Sequence, residues 1–140
     1  MALEYKKYTF LKIYTGEDVM LDDEPMYKTI IRESRRLGLA GGTVVKAIAG
    51  YASQMRGRMG KTASYFISGG ADAPIIIEIV DTHENIEKIL PFLEKNAKDS
   101  LVTIEETEVL MTDYLRWRMS QKMTQQNTPQ PQRQSEQQQQ

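Results

Sequence analysis

The stretch Ile75-Ile76-Ile77-Glu78-Ile79-Val80 constrains this chain more than any other. Side chains alternate across a β-strand, so a run apolar everywhere but at Glu78 offers hydrophobic surface on both faces. Read as a strand from Ala73 to Val80, it needs cover on two sides. A single layer of helices meets only half of that need.

The flanking segments supply such a layer. Tyr8 to Thr15 alternates, with Leu11 and Ile13 pointing one way and Phe10, Lys12 and Tyr14 the other, as a strand does. Gly16 to Glu24 reads as an acidic turn, and Pro25 sits where the first turn of a helix tolerates proline. Met26, Ile30 and Leu37 recur at helical spacing, flanked by Tyr27 and Ile31, with Arg32, Glu33, Arg35 and Arg36 outward. Gly38 then ends the helix, because glycine enters the left-handed cap freely. A second strand is expected from Gly42 to about Ala52.

After the third strand, Asp81 is placed to cap a helix, with Glu84 three residues on in a capping-box-like pattern. Ile86, Ile89, Leu90 and Leu93 form its buried stripe. Pro91 conflicts with a straight helix and predicts a kink or a late start. Ser100 to Leu110 alternates again as a last strand. The order β-α-β-β-α-β predicts an α+β, ferredoxin-like sandwich: an antiparallel sheet with two helices on one face. Its bare face would carry Phe10, Tyr14 and alternate isoleucines of the third strand, too apolar to stand in water. Burial by further copies of the chain, a homo-oligomer, is the simplest remedy.

Composition sets limits. The 140 residues allow one core, expected over 1–112, followed by a short helix over 113–123. Within that helix Trp117 packs on the domain or serves as a handle for a partner. Residues 124–140 are rich in Gln, with Pro, Ser and other polar residues and no hydrophobic one, a composition expected to stay disordered. With no cysteine and a single histidine, His83, neither thiol chemistry nor an imidazole metal cluster is available. The net charge of −1 does not call for a nucleic acid polymer. No stretch reads as a signal peptide or a membrane span, so a cytoplasmic protein without membrane insertion is expected.

Between the second and third strands lies a connection of about 20 residues, far beyond the usual 4–6. It is basic and punctuated by glycine, with Arg56, Gly57, Arg58, Gly60 and Lys61. Gly60-Lys61-Thr62 resembles the end of a phosphate-binding P-loop, but Met55 stands where that motif needs glycine, and a strand follows where it needs a helix. Arg56, Arg58 and Lys61 near flexible backbone could instead clamp a phosphate or carboxylate; the plain alternative is a solvated loop. Glu105, Glu106 and Glu108 read as a solvated edge, and Asp22-Asp23-Glu24 as an acidic helix start rather than a calcium loop. His83 has no spacing that suggests a catalytic triad.

Gly38-Leu39-Ala40-Gly41-Gly42-Thr43-Val44 running into Gly50-Tyr51, and Ile75 to Asp81, resemble the second and third strands of PII signalling proteins. More closely, Leu11 to Tyr14, Gly38 to Gly41, Gly50-Tyr51 and Ile77 to Thr82 resemble a PII-like family of unknown function often encoded beside fluoride exporters. The resemblance spans about Tyr8 to Leu110. It implies a homotrimer of ferredoxin-like subunits whose segment from Ala52 to Gly70 corresponds to the T-loop, which in PII proteins contacts targets. It also implies ligand sites in clefts between subunits, at the base of that loop. Thr43 matches a PII threonine near the nucleotide base, and Gln54 the glutamine that touches effector and metal. The ligand-binding set is therefore expected to be Gly41, Thr43, Gln54, Arg56, Arg58 and Lys61.

One departure is plain. Where PII proteins wrap nucleotide phosphates with a glycine-rich loop, this chain has Asn96-Ala97-Lys98-Asp99-Ser100, so nucleotide binding in the PII manner is not implied. The function expected is a non-enzymatic regulator that senses a small anionic ligand, nucleotides among the candidates, and acts on a target such as a membrane transporter. The alternatives are an enzyme with Glu78 as base and the loop cations as clamps, or a structural oligomer without ligand.

Overall fold

A computed structural model describes residues 2–50 and 73–126. The chain divides into two compact units, one spanning Tyr5–Val109 and one made of Met1–Glu4 with Leu110–Gln140.

The larger unit runs β1 (Tyr5–Gly16), β2 (Met20–Leu21), β3 (Glu24–Pro25), α1 (Met26–Arg36), β4 (Thr43–Lys46), β5 (Pro74–Asp81), α2 (His83–Asn96) and β6 (Leu101–Leu110). Four strands form one sheet in the order β4-β5-β1-β6, with β5 antiparallel to both β1 and β4. Sheet order and two covering helices give the ferredoxin-like arrangement that the element pattern predicts.

The register decides which side chains meet. Leu11 opposes Ile79 and Ile13 opposes Ile77, and all four are buried beneath the helices. Met26 and Ile30 from α1 and Ile86, Ile89 and Leu93 from α2 complete that core. Burying each such side chain contributes about 1.5–3 kcal/mol. On the opposite face Phe10 opposes Val80, Lys12 opposes Glu78 and Tyr14 opposes Ile76. The division within β5 corrects one expectation: Ile75, Ile77 and Ile79 all face the helices, and only Ile76 joins the open face.

Local chemistry explains the helix ends. Leu37 caps α1, and Gly38 follows with φ +83°. Gly38 N–H donates to Arg35 O and Leu39 N–H to Ser34 O, the paired bonds of a Schellman motif. Thr82, not Asp81, is the N-cap of α2, its hydroxyl accepting from Asn85 N–H. The helix runs unbroken through Pro91, which is exposed. The carbonyl that proline leaves unpartnered belongs to Glu87, also on the solvent side, where water can satisfy it.

Two further corrections concern length. The second expected strand is only Thr43–Lys46, and Ala47–Gly50 lie outside it. Tyr51 and Ala52 fall outside the described residues. The expected acidic turn contains the small β2–β3 hairpin, with Asp22 at φ +53°, a conformation that Asp tolerates at a turn. Glu24 faces α1, accepting from Thr29 Oγ1 at 2.8 Å and pairing with Arg32.

In the smaller unit α3 (Asp113–Gln126) begins at Thr112, whose hydroxyl accepts from Leu115 N–H at 3.3 Å. Met111 N–H donates to Glu4 O, and Arg116 lies 3.6 Å from both Glu4 and Asp113. The Tyr114 and Trp117 rings lie 6.3 Å apart, and both are exposed. No helix among the described residues is long and apolar enough to cross a membrane.

Candidate functional site

Gly41 and Thr43 stand at the start of β4, where α1 hands over to the sheet edge. The turn before them is pinned by a buried carboxylate. Asp81, 1% exposed at the end of β5, accepts from Ala40 N–H at 2.7 Å through Oδ2. Its Oδ1 accepts from Thr82 N–H at 2.7 Å and from Asn85 Nδ2 at 2.8 Å. These donors hold the carboxyl group in a site where an unbonded one would be costly. Asn85 in turn accepts from Lys88 Nζ. One acid thus ties the entry to β4 to the N-terminus of α2.

Gly42 fits this turn for want of space: a Cβ there would lie 2.8 Å from Ile31 Cδ1. Gly41 differs, with nothing within 4 Å of the corresponding position, so the backbone is open to approach. Thr43 is exposed and opposes Glu78 on the open face. β4 pairs only with β5, so its outer edge of N–H and C=O groups has no strand beside it among the described residues.

At its other end β4 meets the root of the long connection, which is braced. Ala47 N–H donates to Pro74 O at 2.9 Å, and Glu17 N–H to Ala73 O at 3.0 Å. Lys46 Nζ lies 3.1 Å from the Glu17 carboxylate. Gly50, at φ +133°, takes a backbone conformation that side chains rarely adopt. Thr15 is fully buried here, and its hydroxyl has no partner among the described residues. Gln54, Arg56, Arg58 and Lys61 lie outside the described residues. Of the expected site, then, the structure places Gly41 and Thr43 at one end of a four-residue edge strand, and the root of the loop that carries the others at its far end.

Two other places were open as chemistry. Glu78, the alternative base, is half-buried on the open face and has no ion pair within 4 Å among the described residues. Beside it Lys12 lies 3.2 Å from Glu105 Oε1 and 4.5 Å from the centre of the Phe10 ring. The hydrogen bond that Lys12 Nζ donates to Glu105 holds the Lys12 ammonium above its ordinary pKa, with Glu78 adding to the effect. His83 opens α2 at the surface, 3.3 Å from Thr9 Oγ1 and 3.0 Å from Glu87. It borders a cleft of about 340 Å³ with Lys7, Thr9, Ile104 and Glu106. Lys7 and Glu106 pair across that cleft, leaving it mixed in charge. No group of three or more metal-ligating side chains occurs among the described residues.

Sequence reasoning missed the Asp81 bridge, because it spans 41 residues and only the sheet order makes its ends neighbours.

Comparison with known proteins follows the same boundaries. The DUF190 model, described as an uncharacterized ACR family, matches residues 8–109. A UPF0166 protein of Aquifex aeolicus (strain VF5) is 34% identical over 104 residues, 74% of this chain and 94% of that protein. One from Methanocaldococcus jannaschii is 36% identical over 104 residues, 74% of this chain and 92% of its own. Among solved structures, the apo form of CPII from Thiomonas intermedia K12, a nitrogen regulatory PII-like protein, is 20% identical. It covers 79% of this chain and 100% of its own, with a TM-score of 0.45. Another structure of CPII is bound to ADP, AMP and bicarbonate, with 19% identity, coverage of 77% and 92%, and a TM-score of 0.46. At this likeness, the fold assignment rests on the sheet order of the chain itself.

Proposed function

The chain belongs to the DUF190 family, and from that premise we propose that it works as a homotrimeric regulatory protein rather than an enzyme. It binds a small anionic ligand, nucleotides among the candidates, in clefts between subunits. Through the connection 47–73 it acts on a target, with a membrane transporter as the target class suggested by the resemblance to the family found beside fluoride exporters.

The observation that carries this reading is the braced root. A connection this long between paired neighbouring strands is rare without a role. Here its two ends are fixed by Lys46–Glu17 and by the bonds of Ala47 and Glu17, so it departs from a rigid frame. It contains Arg56, Arg58 and Lys61, cations suited to phosphate or carboxylate. A ligand that favours one arrangement of such a segment over another shifts the population and so alters contact with a target. The open sheet face, with the apolar pairs Phe10–Val80 and Tyr14–Ile76 on either side of Lys12 and Glu78, supports assembly, because apolar surface of this kind is better covered than left in water.

Light scattering is expected to return three times the 16.1 kDa protomer mass. Thermal shift against nucleoside mono-, di- and triphosphates, inorganic phosphate and bicarbonate should find at least one compound that raises Tm. That shift should fall at least tenfold in apparent affinity in the double variant Arg56→Ala/Arg58→Ala, with mass and basal Tm unchanged. A monomer would defeat the assembly. A panel without any shift would defeat the sensor, and turnover of a panel compound would put an enzyme in its place.

A further inference from the structure

The open face of the sheet is apolar at its margins and charged at its centre. Lys12 from β1 stands between Glu105 of β6 and Glu78 of β5, over the ring of Phe10. Its side chain is only 27% exposed, and that of Glu105 is 55% exposed. Glu78, directly opposite Lys12 in the ladder, has no ion pair of its own among the described residues. From β4 the neighbour facing Glu78 is Thr43, which is uncharged. Tyr14 is the nearest other titratable group on β1, and Lys6 stands on the same face about 20 Å away near the strand's exposed end. Strand alternation sends Glu106 and Glu108 to the other side, where Lys7 takes Glu106. Among the described residues, each protomer therefore brings one cation and two carboxylates to the centre of this face.

Copies related by rotation can set Lys12 of one against Glu78 of the next, so the face is partly self-complementary. Among the described residues the count still leaves one carboxylate per protomer without a cation, whichever acid takes Lys12. Burial of such a carboxylate favours its neutral form.

Resting on the trimer reading above, we propose that assembly through this face is linked to proton uptake at the Glu78–Lys12–Glu105 cluster, so that the oligomer tightens as pH falls. The sign follows from the direction of the shift. A carboxyl whose pKa rises on burial binds its proton more tightly in the assembled state, so acid favours that state and alkali opposes it. Each unit of such a shift is worth a factor of ten per subunit.

Sedimentation equilibrium over a dilution series at pH 5, 6.5 and 8 tests this. The wild type should assemble at least tenfold more tightly at pH 5 than at pH 8. Glu78→Gln should assemble at pH 8 as tightly as the wild type does at pH 5, with a smaller pH dependence; Glu78→Thr is the second choice if Gln does not fold. Glu106→Gln, on the other side of the sheet, should keep the wild-type profile. Equal assembly constants at the three pH values, or an undiminished slope in both Glu78 variants, would overturn the proton linkage and leave the trimer standing. A protein monomeric at every pH would instead remove the trimer reading on which the linkage rests.

Discussion

At Gly38 the backbone φ is +83°, and any side chain there would sit in the left-handed region. Gly42, four positions on, has no such backbone demand; its constraint is Ile31 Cδ1, 2.8 Å from where a Cβ would stand. The two glycines should therefore answer alanine differently. Gly38→Ala is expected to cost about 1–2 kcal/mol, the penalty of a left-handed non-glycine residue. Gly42→Ala should cost less than about 1 kcal/mol, because the obstructing atom ends a side chain that can turn aside. Chemical denaturation of both variants checks the order, and a larger loss at Gly42 would mean that the Asp81-pinned turn cannot give. That turn matters because it delivers Gly41 and Thr43. Its anchor joins residues 40 and 81, which no local periodicity brings together. Only the sheet order makes them neighbours, so the anchor was hidden until the topology was known.

Among the elements, α2 holds the plainest conflict between sequence and stability. Proline in a helix interior costs about 3 kcal/mol, through a lost hydrogen bond and a clash with the preceding turn. Pro91 is exposed, and the helix runs through it from His83 to Asn96. Pro91→Ala is therefore expected to raise unfolding stability by about 1–3 kcal/mol, read as a higher urea midpoint at constant m-value. The strands were legible to different degrees, for a physical reason. β1 shows its alternation because one face is buried and the other is not, whereas β5 is legible as a short apolar run interrupted only by Glu78. β4 is an edge strand exposed at all four positions, so burial does not discipline its pattern. Its apolar continuation through Ile48, which is 85% exposed, reads as strand and is not. The β2–β3 hairpin, two residues a side, is too short for any period to register. Gly41 and Thr43 are nominated through resemblance rather than local chemistry, since an exposed glycine and threonine leave no chemical signature of their own.

For the whole molecule, the decisive property is that one sheet has two unlike faces. Leu11, Ile13, Ile77 and Ile79 lie beneath the helices, while Phe10, Lys12, Ile76, Glu78 and Val80 lie opposite. In the order of their residues, however, both faces of β5 are nearly all aliphatic. Shifting a strand by one residue exchanges its faces, and Ile76 and Val80 would fill the core about as well as Ile77 and Ile79. What separates the two arrangements is that the wrong one drives Lys12 and Glu78 under α1 and α2. These two charges are therefore expected to act as selectors during folding, against a misthreaded sheet that hydrophobicity alone would accept. Replacing both, as Lys12→Leu/Glu78→Leu, should leave the chain collapsed and rich in secondary structure while its amide spectrum broadens or doubles. A single sharp set of resonances in that variant would show that the helices alone choose the face. The cost of carrying a lysine and a glutamate on an otherwise greasy surface is then recovered before any subunit meets another, as fidelity in the first pairing of β1 with β5.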